Sequence, residues 1–225
     1  MARYNDAAAF VTVKAVIRLD ERERRGETDS RHRSVGGQML PELLDNGHLP
    51  PGRYATSLPE IEQRFVTHSQ FSDSRDRRVI WAGFLDYLEE WQAAQEALGI
   101  DVLHSVWLAG SFVSSKLHPS DLDITPVISQ GVVDGARGQI GMKRLKKLIG
   151  HQAKLMEAYR LDVFPLPWLP VVHPLNTSVQ TVAERHYLAR RGTYDDFWQR
   201  IGPDVPAAPL PPVCHAERGM LEVAV

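Results

Sequence analysis

Three aspartates, Asp121, Asp123 and Asp162, are the side chains of this sequence best suited to chemistry, and a glycine-serine pair stands upstream of them. The stretch from Val106 to Ile124 reads as an apolar strand, a Gly110-Ser111 turn, a polar segment closed by Pro119, and a second strand opening on Asp121 and Asp123. In a strand alternate side chains share a face, so Asp121 and Asp123 project together while Leu122 and Ile124 enter a core. Two neighbouring carboxylates repel each other unless a cation stands between them. A hard divalent ion such as Mg²⁺ or Mn²⁺ prefers oxygen ligands of this kind. Gly110 lets backbone approach a ligand closely, and Ser111 would begin a helical turn whose free N–H groups suit phosphate oxygens. Nucleotide phosphates bridged by metal to an aspartate pair are the chemistry these types and spacings suggest. Lys116 lies between the two motifs and could neutralise phosphate, although an exposed loop lysine is the commoner meaning of such a residue.

At these residues the sequence resembles the DNA polymerase beta-like nucleotidyltransferase superfamily, and the Leu49-Pro50-Pro51-Gly52 entry to a short helix, with Gly110-Ser111-Phe112-Val113-Ser114-Ser115-Lys116, looks like an uncharacterised bacterial branch of it. The signature is a hydrophobic residue, Gly, Gly or Ser, a short spacer, then Asp-hydrophobic-Asp/Glu-hydrophobic. Leu108-Ala109-Gly110-Ser111, nine residues, and Asp121-Leu122-Asp123-Ile124 follow that order. The superfamily takes a third carboxylate from a later strand, and Leu161-Asp162-Val163-Phe164 fits after an intervening helix. The resemblance implies that Asp121, Asp123 and Asp162 hold two Mg²⁺ ions, that Gly110, Ser111 and Lys116 meet the nucleotide phosphates, and that Asp162 can act as a base. It implies transfer of a nucleoside monophosphate, AMP foremost, from an NTP such as ATP to a hydroxyl of a protein, RNA or small molecule. Settings known for compact members include antitoxins that modify a partner toxin, antibiotic-modifying enzymes and phage defence. The competing reading is a nucleotide sensor or partner-binding subunit on the same fold that does not turn over, and three adjacent carboxylates favour the enzyme.

Other chemistries are poorly served. His104 and His118 flank the motif but have no third ligand at useful spacing for zinc. Ser111, Ser114 and Ser115 lack the Gly-X-Ser-X-Gly elbow of a serine hydrolase. Cys214 is the only cysteine, which excludes an internal disulfide or a multi-cysteine zinc site and suits a reducing cytoplasm. A net charge of −2 gives no global attraction to nucleic acid or an anionic membrane. No run approaches the length of a membrane span.

The elements that must position these residues point to an α+β (mixed α/β) fold: a nucleotidyltransferase core of a small mixed β-sheet with helices packed on one face, and accessory terminal segments. Residues 1–48 form an accessory segment, with a possible strand at Phe10–Leu19 and a charged loop after it. Residues 49–202 form the core, and 203–225 a Pro-rich linker with a terminal strand. Ser57 and Glu60 have capping-box spacing ahead of a short helix, with Pro59 tolerated in its first turn. Ile80, Phe84, Leu88, Trp91, Ala94 and Leu98 recur at helical spacing, which predicts a helix over Asp76–Leu98 ended by Gly99. The second strand would run on to Ile128, with Pro126 implying an edge or an irregularity. Residues 131–138 read as a loop, and Gln139–Tyr159 as one helix, basic through Lys143, Arg144, Lys146, Lys147 and Lys154. A solvated basic face is the default, an acidic acceptor or RNA the sharper alternative. Pro165–Pro174 must be extended. A third helix is expected from Thr177, its N-cap, to about Arg191, interrupted by Gly192 and resumed over Tyr194–Ile201. The closing Gly219–Val225 would be a strand, paired with the one near the N-terminus in a small element beside the core.

Overall fold

A computed structural model describes residues 40–139, 141–202 and 215–225. The expected strand at Phe10–Leu19, the charged loop after it and the linker over Pro203–Pro212 lie outside them. Leu40–Val225 form one compact unit.

The fold is mixed α+β, with six strands in one mixed sheet and six α-helices among the described residues. The strands are β1 (Gly52–Thr56), β2 (Leu103–Ala109), β3 (Leu122–Ser129), β4 (Leu161–Val163), β5 (Leu166–Trp168) and β6 (Gly219–Ala224). Their order across the sheet is β1-β6-β2-β3-β4, and β5 also pairs with β3. The β2–β3 and β2–β6 ladders are antiparallel, whereas β1–β6, β3–β4 and β3–β5 are parallel. The closing strand is therefore internal to the main sheet, between β1 and β2, in place of the separate element expected. The sequence hides this because β6 and its partners are far apart along the chain, and alternation reveals a strand without naming its neighbour. Pro126 lies in a strand with neighbours on both sides. The irregularity falls on one of them, where β4 stops at Val163 and β5 starts at Leu166.

The helices are α1 (Leu58–Glu62), α2 (Arg75–Leu98), α3 (Gln130–Gly135), α4 (Met142–Ile149), α5 (Gln152–Tyr159) and α6 (Val182–Trp198). The Ser57–Glu60 capping box is formed, and the chain leaves α1 through a wider helical turn, Gln63–Thr67. Ser74 caps α2, and Gly99, left-handed at φ 67°, ends it. The segment expected as one helix over Gln139–Tyr159 is two, since Gly150 is extended and His151 left-handed at φ 63°. Residues 131–138, expected as a loop, contain most of α3. Thr181, not Thr177, caps α6 through a second capping box with Glu184, and the helix runs through Gly192 without a break. An added Cβ at Gly192 would meet nothing, so this glycine lowers helix propensity without marking an end.

One sheet face, with Val106, Leu108, Leu122, Ile124, Leu161 and Val163, shares a core with Ile80, Phe84, Trp91, Leu145 and Leu155 from α2, α4 and α5. The other face carries Trp107, Ala109, Val127 and Met220, against Tyr187 and Trp198 of α6. Helices thus cover both faces, not one as expected. α6 carries its buried side chains at wide spacing, so its apolar stripe is faint in the sequence. Among the described residues no helix is long and apolar enough to cross a membrane.

Candidate active site

Asp123 and Asp162 stand side by side at one end of the sheet, and Asp121 is near enough for its charge to act on Asp123. Asp123 is the register partner of Asp162 in the parallel β3–β4 ladder and of Ala109 across β2. Partners in a ladder project from the same face, and Asp121, two residues before Asp123, shares it. That face is the one α6 packs on: Thr125, next in the alternation, accepts a hydrogen bond from Trp198 Nε1 at 2.8 Å.

The electrostatics of the cluster are those of crowded like charges. Burial, then the charges of Asp121 and Asp162, push the Asp123 carboxyl up to about 7, and Arg218 opposes the shift. The Gly110-Ser111 turn closes on the same carboxylate. Gly110 has φ 75°, and a Cβ at that position would strike Asp123 Oδ2. Only glycine satisfies both the backbone angle and the close approach. Ser111 is half-buried at the start of a single helical turn, Ser111–Val113.

Two arginines hold the framework. Arg77, fully buried in α2, donates to five carbonyl contacts: Phe65 O at 2.8 Å, Phe112 O at 2.7 Å, Ser114 O at 2.8 Å, and Lys116 O from Nε at 3.2 Å and Nη2 at 2.6 Å. Its guanidinium lies over the rings of Phe71 and Phe112, and burial lowers its pKa to about 10. The loop after Gly110 is therefore fixed by its own backbone carbonyls, with Ser114 Oγ donating to Ser111 O at 2.7 Å. Arg160, left-handed at φ 55°, donates twice to Ser120 O, at 3.0 and 2.7 Å, and to Asp76 Oδ1 at 2.9 Å. It thereby anchors the residue before Asp121. Leu122 N donates to Arg160 O, which ties the entrance of β3 to that of β4.

Lys116 is exposed, and the structure uses its carbonyl. His118 bonds Asp76 Oδ2 at 3.2 Å, and His104 packs edge-on against Trp168. Lys143, Lys146, Lys147 and Lys154 are exposed, while Arg144 is paired with Glu90. Sequence reasoning missed Arg77, Arg160 and Arg218. Arg77 left a signal, since a charged residue at a helix N-terminus just before the apolar stripe begins can turn inward.

The site suits a divalent cation. It offers carboxylate oxygens on one face whose mutual repulsion a cation would relieve. Among the described residues no three His, Cys, Asp or Glu side chains are gathered closely enough to ligate one ion together, and the Gln152 side chain donates to Asp162 Oδ1. Mg²⁺ is ordinarily held by one or two carboxylates, waters and substrate phosphates, so Asp121 and Asp123 would suffice, with Asp162 joining once free of Gln152.

No curated protein and no solved structure matches the chain. The profile of one family matches residues 41–223, the span of the sheet and its helices, and the chain accordingly belongs to this family of unknown function (DUF6932).

Proposed function

We propose that the protein is a Mg²⁺-dependent nucleotidyltransferase that moves a nucleoside monophosphate, with ATP the leading donor, to a hydroxyl acceptor, on a polymerase beta-like core. One observation carries the reading: Asp123 and Asp162 stand side by side across a parallel ladder, with Asp121 on the same face and the Gly110 turn against Asp123. Asp121 and Asp123 would hold the metal, with Asp162 completing the set. Bound Mg²⁺ supplies positive charge to the reacting phosphate and lowers the pKa of the acceptor hydroxyl. Gly110 and Ser111 bring backbone close to the β- and γ-phosphates, where negative charge builds as pyrophosphate leaves. Asp162 takes the acceptor proton, the acceptor oxygen bonds to the α-phosphorus, and the bond from that phosphorus to the bridging oxygen breaks.

Incubation with labelled NTPs and Mg²⁺, alone and with a cell lysate, tests this. Label transfer that Asp121→Ala abolishes, with the fold intact by circular dichroism, is the expected result. Nucleotide binding without transfer under any condition would favour the sensor. The Gln152 contact to Asp162 Oδ1 is the observation on that side, because it engages the proposed base.

A further inference from the structure

We infer that Arg218 grips the β- and γ-phosphates, so that the triphosphate lies across the end of β2, from the carboxylates on β3 to the guanidinium at the head of β6. The inference rests on the nucleotidyltransferase reading and gives that site its missing positive end.

The register of the sheet sets the geometry. β2 runs between β3 and β6, with Ala109 opposite Asp123 and Leu108 opposite Leu221. Extending that antiparallel register two residues on along β2 and two back along β6 brings Gly110 level with Gly219, and Arg218 precedes Gly219. The aspartates and Arg218 thus flank the Gly110 turn from its two sides. Adjacent strands are about 4.8 Å apart, so β3 and β6 are separated by about 10 Å, a distance a triphosphate can span. Between them stand two glycines, both without room for a side chain: a Cβ on Gly219 would meet Pro50 O and the Tyr54 ring.

Arg218 is also the arginine beside this turn with donors to offer. Its Nε donates to Trp198 O at 3.0 Å, and its terminal nitrogens make no hydrogen bond to any described residue. Arg77 is committed to carbonyls, Arg160 to Ser120 and Asp76, and Arg53 to Glu222. Arg218 feels the charge of Asp123 and is substantially desolvated. A guanidinium in that position binds phosphate oxygens more strongly than one in open solvent. The Trp198 contact alone would make it a strut between α6 and β6, and the test separates the two roles.

Binding of Mg·ATP, Mg·pyrophosphate and AMP is measured by calorimetry on the wild type, Arg218→Gln and Arg218→Lys. The wild type is expected to favour ATP and pyrophosphate over AMP. Arg218→Gln should weaken ATP and pyrophosphate about 10- to 100-fold, as loss of a charge-assisted contact does, leave AMP within about 2-fold, and be partly rescued by Arg218→Lys. A folded Arg218→Gln with wild-type pyrophosphate affinity, or with AMP weakened equally, overturns the inference while the nucleotidyltransferase reading stands. A wild type that binds neither ATP nor pyrophosphate overturns both. Should Arg218→Gln fail to fold, phenylglyoxal labelling of the wild type with peptide mapping decides: protection of Arg218 by Mg·pyrophosphate supports the inference, and undiminished labelling overturns it.

Discussion

Asp123 is where the physical chemistry of single residues is sharpest. Its carboxyl is pushed from 3.8 in an ordinary aspartate to about 7 by burial and by the charges of Asp121 and Asp162. With the folded pKa raised, the unfolded chain gives up this proton first. Stability is whole below the ordinary value, drains away as pH rises toward the folded value, and is lost above it. Asp123→Asn removes that titration. Without metal, the two proteins should melt alike near pH 4, and the variant should be increasingly the more stable up to about pH 7, beyond which the gap is constant. Melting temperatures across a pH series check this, and parallel profiles would show Asp123 ionising like an exposed acid. Millimolar Mg²⁺ should raise the wild-type melting temperature at pH 8 and leave Asp123→Asn unmoved, since binding to the native state alone stabilises it. Gly110→Ala forces a left-handed backbone on a Cβ that collides with Asp123. It should lower stability by about 1–3 kcal/mol and abolish Mg-dependent ATP binding, read by denaturant titration and calorimetry. Gly110, Asp121 and Asp123 stood out because their spacing is local, and Asp162 because the resemblance called for a carboxylate on a later strand. Arg218 was not, because its place beside Gly110 comes from a ladder between segments about a hundred residues apart.

At the scale of elements, the loop of residues 111–116 depends on α2. Arg77 offers its donors to carbonyls from two segments, Phe65 and the loop itself, and lysine at that position has too few and the wrong geometry. Arg77→Lys should cost about 3 kcal/mol or more in a urea titration and speed amide exchange in the loop; an unchanged exchange pattern would show that the loop is held by other means. α2 itself was readable from its stripe, with Gly99 marking its end, while its cap at Ser74 emerged only in the structure. The helix over 139–159 was misjudged because lysine and leucine favour helix on both sides of the break. Gly150 stands at the break, but the left-handed residue is the histidine after it, a type that seldom takes that conformation. Thr177 lost the cap to Thr181, which has a glutamate three residues on. Capping spacing was informative at both sites, and at the second it had to be read on the right threonine.

For the whole molecule, the compact unit Leu40–Val225 and the family span 41–223 nearly coincide. A chain of residues 40–225 should therefore fold alone, with a single cooperative melt in calorimetry. Broad or absent unfolding would mean that residues 1–39 contribute to the core. Mixed α+β class was legible from alternating strand and helix patterns. Coverage of the second face was not, since α6 buries only Tyr187 and Trp198 fully, eleven residues apart, with Leu188 and Tyr194 half-buried between them. The position of β6 has a consequence for biosynthesis. Among the described residues β1 pairs with β6 alone, so a ribosome that has made residues 52–56 must make more than 160 others before that ladder can form. A nascent chain halted short of residue 218 would leave the β6-facing borders of β1 and β2 unpaired, a sticky template for other polypeptides, and would lack the guanidinium of Arg218. Translation must therefore pass that point before the protein can hide these edges.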